Sequence, residues 1–133
     1  MATEETRYIS YAEAVLIHIE LMLLMGESRY GVFERSLVES ALARPQAAAA
    51  YEGADLIRQA ATLLYGLIKN HPWVGGNKRT ATTVTRIFLR VNHRKLVAPT
   101  TEQIEMVSAD ESDRWGAEEI EAWLRPRARV VTG

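Results

Sequence analysis

His71-Pro72-Trp73-Val74-Gly75-Gly76-Asn77-Lys78-Arg79-Thr80-Ala81 lies between two long apolar-periodic segments. Its two adjacent glycines permit backbone conformations closed to other residues, so several N–H groups can turn toward one point. A helix beginning near Asn77 adds its own unpaired N–H groups and the positive end of its dipole. Lys78 and Arg79 then stand where cations are unfavourable, at a cost of about 0.3–1 kcal/mol per charge. A bound anion removes that conflict, as at phosphate sites built on glycine-rich helix starts. For a lone Lys-Arg pair, two solvated side chains would be the favoured reading. The two glycines, Asn77 and the upstream His71 together favour the anion site.

Working outward, Ala54 to Asn70 reads as the cleanest amphipathic helix. Ile57, Ala60, Ala61, Leu64 and Ile68 form its stripe, with Leu56, Leu63 and Leu67 beside it. Asn70-His71-Pro72 ends it, because the residue before a proline avoids the helical region. The next helix runs from about Asn77 to Asn92 with Ala81, Val84, Ile87, Phe88 and Val91 inward. Thr80, Thr82, Thr83 and Thr85 are poor helix formers, so packing must hold it.

Nearer the N-terminus, Ser10 caps a helix to about Met25, with Gly26 as its stop. Val15, Leu16, Ile19, Met22 and Leu23 are its expected inner stripe, and the helix is expected to be largely buried, with His18 a packed, hydrogen-bonded residue. Residues 26–35 read as a loop. Ser36-x-x-Glu39 is a capping box opening a short helix through about Ala43, which Pro45 ends. Gln46 to Gly53 carries four alanines, which alone favour helix. Near the C-terminus, Pro99 and the box Thr100-x-x-Gln103 open a helix to about Ala109. Another runs from Gly116 to Arg125 until Pro126, and residues 127–133 are expected to be a flexible tail. No convincing run of period-two alternation appears, so the expected fold is all-α: one domain over 1–126 with about six helices.

Composition sets the outer limits. A chain of 133 residues suits one domain with one core. Hydrophobic residues make up 47 % and charged residues 25 %, ordinary values for a globular protein. A net charge of −1 provides no global field toward nucleic acid or an anionic membrane, so phosphate binding must be local. The absence of cysteine excludes disulfides and thiolate chemistry, and fits a cytoplasmic location. The polar N-terminus has no signal-peptide order. Ala12 to Met25 is interrupted by Glu13, His18 and Glu20 and is too short to span a bilayer.

His-Pro-aromatic-x-x-Gly-Asn-Lys-Arg-Thr-Ala resembles the signature of the Fic/Doc superfamily in its Doc ("death on curing") branch. Lys78 occupies the position where AMP-transferring members usually carry glycine. Ser36 to Gln46 resembles the stretch leading into the family's flap, and the likeness spans about residues 8 to 125. The resemblance implies an all-helical fold with a short substrate flap at Arg44, Pro45 and Gln46. It further implies phosphate transfer from ATP, with Mg²⁺, to a hydroxyl of a translation factor of the elongation factor Tu class, and neutralisation by a small Phd-like antitoxin. His71 becomes the general base, and Gly76, Asn77, Lys78 and Arg79 the phosphate ligands, with Lys78 and Arg79 also meeting charge that develops in transfer. Trp73, in place of the usual Phe, becomes a core anchor. AMP transfer, or a catalytically silent antitoxin-binding module, are the alternatives.

One position departs from the pattern. The family's Asp or Glu, which normally holds Mg²⁺, is replaced by Gly75, so no metal ligand is assigned there. A weakened member, an inactivating substitution and a relocated ligand all fit this glycine. Glu52 and Asp55 are the nearest carboxylates to the expected flap.

Overall fold

Leu56–Asn70 forms α3, the helix around which the others pack. The computed structural model describes residues 5–131. Ile57, Ala60, Ala61, Leu63, Leu64, Leu67 and Ile68 are all buried, and so are Gln59 and Thr62. The helix is thus enclosed on nearly every side rather than on one stripe, because α2 (Arg35–Glu52), α4 (Asn77–Val91), α5 (Thr100–Glu111) and α6 (Ala117–Leu124) all lie against it. Its buried polar groups are satisfied: Tyr8 donates to Gln59 Oε1 at 2.8 Å, and Gln59 Nε2 donates to the Ala54 carbonyl.

The first helix, α1 (Tyr11–Leu24), starts at the Ser10 cap with a reciprocal bond from Glu13, and lies at the edge against α2 and α4. Its buried residues are Ala14, His18 and Met22, one stripe at four-residue spacing. Leu16, Leu23 and Leu24 are exposed, against the expectation of a largely buried helix. An edge helix with two neighbours can bury only a narrow face, and here that face carries the histidine.

The second helix corrects the flap. Arg35 to Glu52 is one continuous helix that passes through Pro45 and ends at Gly53, whose φ of 65° closes it. Arg44, Pro45 and Gln46 are therefore helical. Pro45 has no N–H to give the Ala41 carbonyl, yet the alanine run and packing along α3 outweigh that loss. The expected capping box is absent too. Glu34 is the N-cap and makes no side-chain bond, while Glu39 pairs with Arg35 at 3.4 Å.

Two short strands, β1 (Arg94–Leu96) and β2 (Ala128–Val130), pair antiparallel with Leu96 opposite Ala128. This corrects the boundary expected after Pro126: β2 continues the body, and Ala128 is buried. Residues 132 and 133 lie outside the described residues. Strands of three residues are too short to show alternation, and they leave the architecture all-α. No helix among the described residues is long and apolar enough to cross a membrane.

Asp55 and Glu52 fall at the wrong end of α3 for a site at His71. Asp55 caps that helix by accepting from Arg58 N–H, and its carboxylate, held below the usual range chiefly by Arg125, also takes the guanidinium at 2.8 Å. Glu52 pairs with Arg58. His71 caps the opposite terminus, about 24 Å away at the helical rise of 1.5 Å per residue. Asp55→Ala should lower stability by about 1–2 kcal/mol through the lost cap and ion pair. Urea unfolding reads that loss, and phosphate affinity should stay unchanged; a loss of phosphate binding would return Asp55 to the site.

Candidate active site

The 71–81 stretch is held by its own backbone and by a buried aromatic anchor. His71 is the C-cap of α3 in the left-handed region, at φ 47° and ψ 56°, which for a non-glycine residue costs about 1–3 kcal/mol. Trp73 is buried and stacks on the His18 ring, with centroids 4.3 Å apart and planes 12° from parallel. Trp73 N–H donates to Asn77 Oδ1, and Asn77 Nδ2 donates to Trp73 C=O, both at 3.0 Å. Gly76, at φ 66°, is the N-cap of α4. No side chain caps this helix, and its first turn carries no acidic residue. The early N–H groups therefore lack a side-chain cap, and no acidic residue of the first turn offsets the dipole beside exposed Lys78 and Arg79.

The loop before α2 lines the other flank. Phe33 N–H donates to Pro72 C=O and Val74 N–H to Gly31 C=O, each at 2.9 Å, with Val32 bridging Trp73. His18 fastens that loop: its Nε2 accepts from Gly31 N–H at 2.9 Å, and Nδ1 meets Thr80 Oγ1 at 2.8 Å. This packing bears on Gly75. A Cβ there would lie 2.8 Å from the Arg29 carbonyl oxygen. The room that a carboxylate side chain would need at position 75 is occupied by backbone.

The carboxylate at this site comes instead from α5. Glu111 Oε1 lies 3.0 Å from Lys78 Nζ, and Glu111 Oε2 lies 3.5 Å from His71 Nε2. The Lys78 hydrogen bond is the main reason that the Glu111 carboxyl sits below its ordinary pKa, with His71 adding to it. Lys69, in the last turn of α3, delivers this residue: its ammonium donates to the Asp110 carbonyl and to the Asp113 carboxylate. Asp110 is fully buried with both carboxylate oxygens unpartnered, and burial pushes it up to about 7 against the opposing charge of Lys69.

Of the residues expected at the site, His71 and Lys78 meet on Glu111, Gly76 caps α4, Arg79 stands in the first turn of that helix, and Asn77 spends its amide on Trp73. Arg44 sits further back on the body, its side chain over Gly66 and its guanidinium 5.6 Å from the Tyr65 ring centre. Pro45 and Gln46 are on the same helix turn. Glu111 and the Lys69 clamp were not found from sequence. A helix expected to stop at Ala109 excluded Glu111, and no motif marks it. The residues do not fit a protein-held Mg²⁺. Gly75 supplies no donor, Asn77 is engaged, Glu111 is taken up by Lys78 and His71, and no cluster of three His, Cys, Asp or Glu that could hold a metal exists among the described residues.

The family model described as the Fic/DOC family matches residues 8–89. The chain belongs to the Fic/DOC family. It is also similar to a protein of Mycolicibacterium smegmatis (strain ATCC 700084 / mc(2)155) named Toxin Doc, at 39 % identity over 87 residues. That match covers 59 % of this chain and 65 % of the relative, so the chain spans just under two thirds of the relative's length. The family-model match spans α1 to α3, the whole motif and most of α4, and ends at Leu89. Glu111 lies outside the region matched by the family model.

Glu111→Ala should raise affinity for inorganic phosphate about three- to tenfold, the scale of an exposed ion pair and the charge removed with it. Isothermal titration at low salt reads this, and an unchanged or weaker affinity would show that Glu111 does not occupy the anion's place. A pH effect comes from Asp110. Its folded pKa of about 7 exceeds the model-peptide 3.8, so between those values the folded state holds a proton that the unfolded state releases. Stability therefore falls as pH rises through that window. Asp110→Asn should flatten the slope in urea unfolding between pH 4 and pH 7.

Proposed function

We propose that this chain is a Doc-type toxin of a toxin–antitoxin pair, and that it transfers the γ-phosphoryl group of ATP to a hydroxyl of a protein substrate. The observation that carries the reading is the convergence of His71 and Lys78 on one carboxylate, beside the uncapped start of α4. A base and an anion-binding cation that both reach one two-oxygen group are spaced to serve a hydroxyl and a phosphoryl group meeting there. The name Toxin Doc of the M. smegmatis relative supports the toxin assignment. A translation factor of the elongation factor Tu class as substrate, and a small Phd-like antitoxin as partner, extend the same reading.

In this mechanism the substrate hydroxyl gives its proton to His71 Nε2 as its oxygen bonds to the γ-phosphorus. The bond from that phosphorus to the β,γ-bridging oxygen breaks, and ADP leaves. Lys78, Arg79 and the free N–H groups of α4 offset the charge on the phosphoryl oxygens. Asn77 acts one step back, fixing the turn that aims them. No step is routed through a divalent cation, because the donor set does not fit one. Glu111 must leave Lys78 and His71 before either can act.

The engaged Asn77, the closed space at Gly75 and the Glu111 contacts also suit a second reading, a catalytically silent member that keeps the fold and its partner surface. Labelling separates them. The chain, its Glu111→Ala variant and its His71→Ala variant are incubated with γ-labelled or α-labelled ATP and bacterial lysate. Transfer of γ-label that increases in Glu111→Ala and drops about 10²–10⁴-fold in His71→Ala is expected. Label from the α position would make the chain an AMP transferase, and no label from any version would leave the silent module.

A further inference from the structure

His18 is an ionisable side chain to which phosphate transfer gives no part, yet it is fully buried behind the motif turn. Its two ring nitrogens hold two different elements. Nε2 accepts from Gly31 N–H at 2.9 Å, and Nδ1 meets Thr80 Oγ1 on α4 at 2.8 Å. A backbone N–H can only donate, so Nε2 is bare and Nδ1 carries the proton. Gly31, at φ 114°, passes the contact on, because its C=O accepts from Val74 N–H at 2.9 Å. Two residues back, the Arg29 carbonyl oxygen stands 2.8 Å from where a Gly75 Cβ would lie. Two residues on, Phe33 N–H donates to Pro72 C=O. The loop thus lies against the motif turn on both sides of the one residue that His18 holds.

We propose that His18 is a positioning residue of the anion site, a latch that holds residues 29–33 against the motif turn only while its Nε2 is unprotonated. A proton there turns the acceptor into a second donor facing Gly31 N–H, and that hydrogen bond is lost. Nδ1–H keeps donating to Thr80, so α4 stays attached and the release is confined to the loop side. The groups around the ring offer a cation no counter-charge. They are the Gly31 backbone, the Thr80 hydroxyl, the Trp73 indole, and Ala14 and Met22 four residues away on either side along α1. Burial, with no charged neighbour contributing, holds the imidazole below the ordinary histidine range. The unfolded chain takes up this proton first, so stability is lost as pH falls through that range. Trp73 rests on the ring face, and the Asn77 amide holds the Trp73 backbone. Releasing the loop therefore loosens the turn that presents Gly76 and the first N–H groups of α4, and anion affinity falls as the site loses its preset geometry. His71 and Glu111 act in the opposite sense. A proton on His71 adds positive charge beside the anion, and a proton on Glu111 frees Lys78. Weakening in acid thus singles out His18. The latch rests on the His18 hydrogen bonds; its effect on an anion also rests on the phosphate-site reading above.

The test uses the whole chain, His18→Gln and His18→Asn, with inorganic sulfate, whose charge stays constant over the range used. The glutamine Oε1 reaches the place of Nε2 and accepts from Gly31 without titrating. The asparagine amide takes the place of Nδ1 and leaves Gly31 N–H without an acceptor. Isothermal titration at about pH 7.5 and about pH 4.5 spans the histidine range. Between the two, sulfate affinity of the wild-type chain should drop at least about threefold relative to His18→Gln. At the higher pH, His18→Asn should bind at least about threefold more weakly than His18→Gln, with circular dichroism confirming that both are folded. A second measurement needs no anion and no variant. Nitrogen NMR of the wild-type chain should show Nε2 bare at neutral pH, and the Gly31 amide should lose its protection from hydrogen exchange with the midpoint at which Nε2 is protonated. If a variant fails to fold, this titration decides alone. Equal pH dependence of wild type and His18→Gln, equal affinity of the two variants, a protonated Nε2 at neutral pH, or a Gly31 amide indifferent to that proton would overturn the proposal. Sulfate that binds no version would overturn the phosphate-site reading instead, and the Gly31 amide would still judge the latch.

Discussion

The contact on which the rest of the structure depends is the buried imidazole of His18. Nε2 accepts from Gly31 N–H, so the ring proton is on Nδ1 and is donated to Thr80 on α4. The face of the ring supports Trp73. One neutral side chain thus joins α1, the loop before α2, the motif turn and α4. Burial holds its pKa below the ordinary value, which keeps Nε2 free of a proton and able to accept. Once Trp73 is fixed, its N–H and C=O receive the Asn77 amide, and the start of α4 is locked against the end of α3. This explains why α1 turns a histidine inward and leaves leucines in water. The two hydrogen bonds and the ring stack supply an orientation that no aliphatic side chain could give.

How much of this was readable depended on how local each signal was. The α3 and α4 limits were legible because Pro72, Gly76 and Asn77 punctuate the chain where the backbone turns. His71, Lys78 and Arg79 were legible as a group for the same reason. Ser10 announced α1, but not its buried face, since apolar residues surround that helix and only its neighbours choose a side. The α2 region misled in the opposite sense. Pro45 reads as a stop, and the family likeness implied a flap, while the alanine run that followed carried the correct signal for helix. The β1–β2 pair joins segments far apart in sequence through strands too short to alternate. Glu111 was hidden by a helix end placed two residues early, and by the fact that its meaning exists only once α5 is packed on α3.

Gly75 and Glu111 answer each other in charge and space. An acidic residue at position 75 would have placed negative charge beside Lys78 and Arg79, within the motif itself. Here the Arg29 carbonyl fills that space and the motif turn is left with cations only. Glu111, carried in by the Lys69 clamp, restores the balance from another element. The difference matters because a carboxylate on the turn is fixed, whereas one at the last residue of α5 can be released by moving that end alone. Asp110 makes the end less secure: its buried oxygens lack partners, and Lys69 compensates only from 3.9 Å. A buried carboxyl without a hydrogen-bond partner next to Glu111 stabilises the end of α5 poorly. Glu111 itself is held by an exposed ion pair to Lys78, while the residues just before it, Met106, Val107, Ala109 and Asp110, are buried.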